Sequence, residues 1–118
     1  MVEVAIVSTD GGTAQRLAAL LANLDFRVTA YTPDTLPAEL PALFIVAMPA
    51  LASPEEQVIE RLRADEATAN IPIVIVSALP MNELQSVPYA SDWTIAIVPE
   101  PVEANVLVDT IHFLLGKG

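Results

Sequence analysis

The sequence predicts one α/β domain, residues 1–118, in which a five-stranded parallel sheet carries helices on both faces. Three observations predict it. Strand-like and helix-like patterns alternate along the whole chain. Leu43–Met48 and Ile71–Val76 are apolar without interruption, as parallel strands buried on both faces are. The helical segments keep their apolar residues on a 3.6-residue period, and one of them opens on a strong start signal. At 118 residues the chain is long enough for one core and too short for two. No repeat, low-complexity tract or linker divides it.

The elements follow in order. Val2–Val7 is a first strand, apolar except for Glu3. Asp10-Gly11-Gly12-Thr13 turns into a helix whose Leu17, Leu20, Leu21 and Leu24 fall at i, i+3, i+4 and i+7. Phe26–Tyr31 alternates as a second strand. Pro33, Pro37 and Pro41 then forbid a normal helix interior, so the second crossover is short or missing as a helix. Leu43–Met48 is the third strand. Ser53-Pro54-Glu55-Glu56 starts the next helix: the serine caps, the proline suits the first helical position, and Glu56 stands where a capping-box acid reaches back. That helix turns Val58, Ile59 and Leu62 inward and ends before Asn70. Ile71–Val76 is the fourth strand, finishing at Ser77; Pro80–Val87 is a weak, short helix; Trp93–Val98 is the fifth strand. Pro101–Leu115 is the last helix, with Leu107, Ile111 and Leu114 on its inner stripe.

Composition removes several classes of function. Hydrophobic residues make up 53% of the chain and charged residues 17%, which rules against disorder. The apolar runs are far shorter than a membrane span, and no basic segment precedes an early apolar stretch as in a signal peptide, so a soluble cytoplasmic protein is expected. The absence of cysteine excludes disulfides and thiolate chemistry, and a single histidine excludes multi-histidine metal sites. Fifteen acids against five scattered bases give a net charge of −10, which would repel nucleic-acid phosphates and anionic membranes alike. No metal, no other cofactor and no enzymatic activity are implied.

Five β-α units in this length, with a proline-started third helix and a proline after the fifth strand, resemble the receiver domain of bacterial response regulators. The resemblance covers nearly the whole chain. It implies a three-layer, flavodoxin-like, doubly wound sheet of order 2-1-3-4-5, with a site at the carboxyl ends of the first, third and fifth strands. Where that family has two Mg²⁺-holding acids after the first strand, this chain has Ser8-Thr9, with Asp10 one step on. Where the family ends its third strand on the phosphoacceptor aspartate, the hydrophobic register puts Ala47, and no acid lies between Glu39 and Glu55. The hydroxyl residue closing the fourth strand matches Ser77. The family's Lys-Pro after the fifth strand becomes Glu100-Pro101, and its aromatic switch position maps to Ile97. A methyl group cannot take up a phosphoryl group, and Glu100 would repel one. The pattern resembles a degenerate receiver, or pseudo-receiver, which implies a phosphorylation-independent protein-interaction module of two-component or phosphorelay signal transduction.

Each candidate residue also has a plainer reading. Ser77 serves an anion in the cleft or simply ends a strand. Asp10 accepts from a ligand or only initiates a turn beside Gly11-Gly12. Glu100 near Asp10 forms a carboxylate pair or stays a solvated loop acid. His112 falls away from the inner stripe of the last helix, three residues after Asp109, as a surface pair. Ser8–Thr13 also resembles the phosphate loop of flavodoxins, where hydroxyls and amides at a helix start hold an anion; a small-ligand, phosphate or flavin binder using the Asp10–Thr13 turn is the alternative. Against it, Leu17 stands where that family prefers a small residue, and no second aromatic pairs with Trp93 about a flavin. The resemblance to response regulators makes the fourth helix, fifth strand and fifth helix a partner face. Val106 and Phe113, with Tyr89 and Trp93 nearby, would suit a protein partner or a homodimer there.

Overall fold

Five parallel strands pair in the order β2-β1-β3-β4-β5. They are β1 (Val2–Val7), β2 (Phe26–Tyr31), β3 (Leu43–Ala47), β4 (Ile73–Ser77) and β5 (Ile95–Pro99), crossed by α1 (Gly11–Leu21), α2 (Pro54–Ala64) and α3 (Ala104–Leu114). The computed structural model describes residues 2–22, 26–35, 39–48, 53–80, 82, 94–100 and 102–116. The doubly wound sheet and its strand order are those the sequence predicts.

Position in the sheet explains the pattern of each strand. β3 and β4, flanked on both sides, are buried at every residue, whereas the edge strand β2 is buried only at Phe26. Because side chains alternate across a strand, the sheet feeds two cores. On one face Ile6, Ile45 and Val76 meet Leu17 and Leu21 of α1 and Leu107 and Ile111 of α3. On the other, Val7, Phe44, Val46 and Ile75 meet Val58, Ile59 and Leu62 of α2.

No described residue of the β2–β3 crossover is helical. Glu3 and Arg27 are register partners on β1 and β2 and form an exposed ion pair at 3.6 Å. Arg61 of α2 reaches across to hold the crossover, donating to the Pro33 carbonyl at 2.9 Å.

Several boundaries move. The fourth strand starts at Ile73 rather than Ile71, because Ile71 N–H donates to the Thr68 carbonyl in the turn that ends α2. β3 closes at Ala47, although Met48 N–H still donates to the Val76 carbonyl at 2.9 Å. β5 begins at Ile95 and α3 at Ala104. The inward turn of His112 is a correction: its ring lies 5.7 Å from that of Phe26 on β2, so it packs on the sheet edge instead of forming a surface pair with Asp109. The predicted helix over Pro80–Val87 falls almost wholly outside the described residues, as do Tyr89, Trp93 and Pro101. Among the described residues no helix is long and apolar enough to cross a membrane.

Candidate functional site

The carboxyl ends of the strands open onto a cleft of about 250 Å³, where the doubly wound architecture places ligand sites. Its polar wall comes from the β1–α1 loop and its apolar floor from Ala47, Met48, Val76 and Ala78. Of the residues singled out in the sequence, Ser8, Thr9, Asp10, Ala47 and Glu100 line it together.

The β1–α1 loop is tied down by its own side chains. The buried Ser8 hydroxyl accepts the Asp10 N–H at 3.0 Å and donates to the Asp10 carbonyl at 3.1 Å. Asp10 is the N-cap of α1, accepting from Gly12 N–H at 2.9 Å and from the Thr13 hydroxyl at 3.0 Å. Those donors favour the charged form: the Thr13 hydroxyl first, then the Gly12 and Thr13 amides, with the Arg16 guanidinium adding a smaller pull, hold the carboxyl below the usual aspartate range. Gly12 fits this cap closely, since a Cβ there would stand 3.3 Å from Asp10 Oδ1. Asp10 thus caps the helix start, and each of its oxygens accepts one hydrogen bond.

Ala47 ends β3 with its methyl group in the cleft and 5% of its surface exposed. Ser77 does not share the cleft. It is fully buried, its neighbours Val76 and Ala78 form the lining, and its hydroxyl accepts the Leu79 N–H at 3.1 Å. Alternation along β4 turns it away from Val76. Its carbonyl accepts the Glu100 N–H at 3.0 Å, which brings the half-exposed Glu100 to the rim. Ile97 is half-buried against the α2-side core.

One functional candidate was missed in the sequence. Glu55, the second residue of α2, is only 1% exposed and lines the cleft. Its Oε2 accepts both the Thr9 hydroxyl at 2.8 Å and the Thr9 N–H at 3.2 Å. Its Oε1 is buried with no hydrogen-bond partner. The signal was present: Glu55, Val58, Ile59 and Leu62 fall at i, i+3, i+4 and i+7, so a carboxylate stands on the buried stripe of the helix.

Outside the cleft lining, α3 exposes Val106 at 42% and Phe113 at 74%. Among the described residues, no three acidic or histidine side chains group as a metal centre requires.

No protein-family model and no curated protein sequence matches the chain. Solved structures do. The signal receiver domain of a signal transduction histidine kinase from Syntrophus aciditrophicus superposes with a TM-score of 0.81 at 18% identity, over 98% of this chain and 91% of that one. A CheY-like response regulator from Mesorhizobium loti gives a TM-score of 0.70 at 20% identity, over 95% and 97% of the two chains. The receiver domain of a sensor histidine kinase from Pseudomonas aeruginosa, which holds a magnesium ion in its active-site cleft, gives 0.78 at 15% identity over 98% of each chain. With its strand order, its two cores and these superpositions over nearly its whole length, the chain has the fold of the response-regulator receiver domains.

Proposed function

We propose that this chain is a receiver-fold module of two-component signalling that takes no phosphoryl group and acts by binding a protein partner. The observation that carries the reading is Ala47: the tip of the central strand presents a methyl group to the cleft. The surroundings argue the same way. Magnesium, held in the corresponding cleft of the pseudomonad domain, does not suit the donors here. Ser8 and Thr9 stand where an acid pair would be needed, and both oxygens of Asp10 already accept a hydrogen bond within the cap of α1. Glu100 adds negative charge where an acyl phosphate would need a cation. The phosphate-loop alternative is disfavoured because its donors are already engaged by carboxylates: Gly12 N–H and the Thr13 hydroxyl by Asp10, and both Thr9 donors by Glu55.

In this reading the chain binds and does not catalyse, and it works in the cytoplasm. Its contact surface is the side of α3, where Val106 and Phe113 are unburied. A net charge of −10 favours a protein surface over nucleic acid or an anionic membrane. The test is incubation with acetyl phosphate and Mg²⁺ followed by intact mass measurement. No phosphoryl adduct is expected; an adduct stable at neutral pH and lost in acid or base would overturn the proposal.

A further inference from the structure

We infer that the cleft binds a primary ammonium group, carried by a small amine or by a lysine side chain, with Glu55 as its acceptor. This goes beyond the partner reading and stands whether or not α3 takes a protein.

Among the described residues three carboxylates line the cleft, those of Asp10, Glu55 and Glu100. They are not equivalent. Asp10 is exposed and already accepts from Gly12 N–H and the Thr13 hydroxyl, and the nearby Arg16 guanidinium donates to the Thr13 hydroxyl at 3.1 Å. Glu100 is half-exposed and can be hydrated. Glu55 differs from both: with 1% of its surface exposed, it keeps one oxygen bonded to Thr9 and leaves Oε1 without a protein hydrogen-bond partner. An unpaired buried carboxylate oxygen bears the full cost of lost hydration, and a charged donor relieves it.

The chemistry of the lining selects the cation. A divalent metal needs about six oxygen ligands, several of them carboxylate, and the described acids do not group for that. A guanidinium prefers both oxygens of one carboxylate in a fork, and Oε2 is already held twice by Thr9. An ammonium is a compact donor that a single oxygen can satisfy. Its other N–H groups have the hydroxyls of Thr9 and Thr13 in the same wall. An attached methylene stem has Ala47, Met48 and Val76 to lie on.

The test is a ¹H–¹⁵N correlation titration of the whole chain with n-butylamine at neutral pH, with an N-acetylated, C-amidated Ala-Lys-Ala peptide, with butyrate and with magnesium chloride. Saturable shifts at the Thr9, Asp10 and Glu55 amides are expected from the amine, with a Kd on the order of 1–10 mM that rises with salt. Saturation by the peptide alone assigns the ammonium to a lysine side chain; saturation by both assigns the cleft to amines in general. Glu55→Gln is expected to weaken binding by about tenfold or more. Should that variant not fold, Glu100→Lys supplies an ammonium tethered at the rim. It is expected to move the same amides toward their bound positions and to block the added amine. No saturation by amine or peptide up to about 50 mM, unchanged affinity in a folded Glu55→Gln, or tighter binding of magnesium at the same amides would each overturn the inference.

Discussion

Removing the Thr9 hydroxyl probes the bond that joins the β1–α1 loop to α2. Thr9→Val deletes the shorter of the two donors to Glu55 Oε2, 2.8 Å against 3.2 Å for the remaining N–H, and changes side-chain shape little. A hydrogen bond to a charged acceptor contributes about 1.5–3 kcal/mol. The acceptor here is buried with its other oxygen unpaired, so the loss is not made good by water, and a cost of about 2 kcal/mol is expected. For a chain of this size that lowers Tm by roughly 8 °C and the urea midpoint by roughly 1 M. Urea unfolding followed by far-UV circular dichroism measures it, with Thr9→Ser as the variant that keeps the hydroxyl. The cycle is closed by Glu55→Leu, expected to be near neutral within about 1 kcal/mol, because an apolar side chain avoids the desolvation that the carboxylate bears. In that background Thr9→Val should cost less than about 0.5 kcal/mol. A cost below about 0.5 kcal/mol in the parent chain, or an undiminished cost beside Glu55→Leu, refutes the reasoning.

Other perturbations have expected outcomes of their own. Asp10 titrates below its ordinary range in the folded state, so its contribution is fully present above the unfolded aspartate pKa and fades as pH falls through the lower folded value. The stability gap between the parent chain and Asp10→Asn, followed by acid titration, should therefore close on the acid side of that range and stay constant from there to neutral pH. Ser53 Oγ caps α2 through the Glu56 N–H at a long 3.4 Å, so Ser53→Ala should cost about 0.5–1 kcal/mol in urea unfolding, the lower part of the N-cap range. Phe113 is 74% exposed, so Phe113→Asp should change stability by less than about 0.5 kcal/mol while abolishing any self-association or partner capture seen by analytical ultracentrifugation or pull-down. Unchanged association would remove α3 as the contact surface.

Much of the architecture was legible because it is written in short-range periodicities. Uninterrupted apolar runs marked β3 and β4 as central strands, and the prolines between β2 and β3 told that a regular crossover helix would fail. The Ser53-Pro54 start of α2 was equally local. Boundaries were less legible, since apolar character at Ile71 says nothing of whether its N–H enters a ladder or closes a turn. Half of the candidate site was readable in the same way. Ser8, Thr9, Asp10, Ala47 and Glu100 share the cleft because they sit at strand ends, which the pattern locates. Ser77 sits at a strand end too, but one residue out of phase, and alternation carries it away.

By itself, the sequence determined the doubly wound sheet, the strongly acidic charge and the lack of any acid at the end of β3; each depends on residue type and spacing along one segment. Tertiary structure alone decided that Glu55 meets Thr9 across a separation of 46 residues, that His112 packs on Phe26, and that Asp10 is consumed by its cap. The physical reason is that a side chain's partner is set by how separate elements pack, and a carboxylate on a helix stripe acquires its chemistry only when another strand's loop is folded against it.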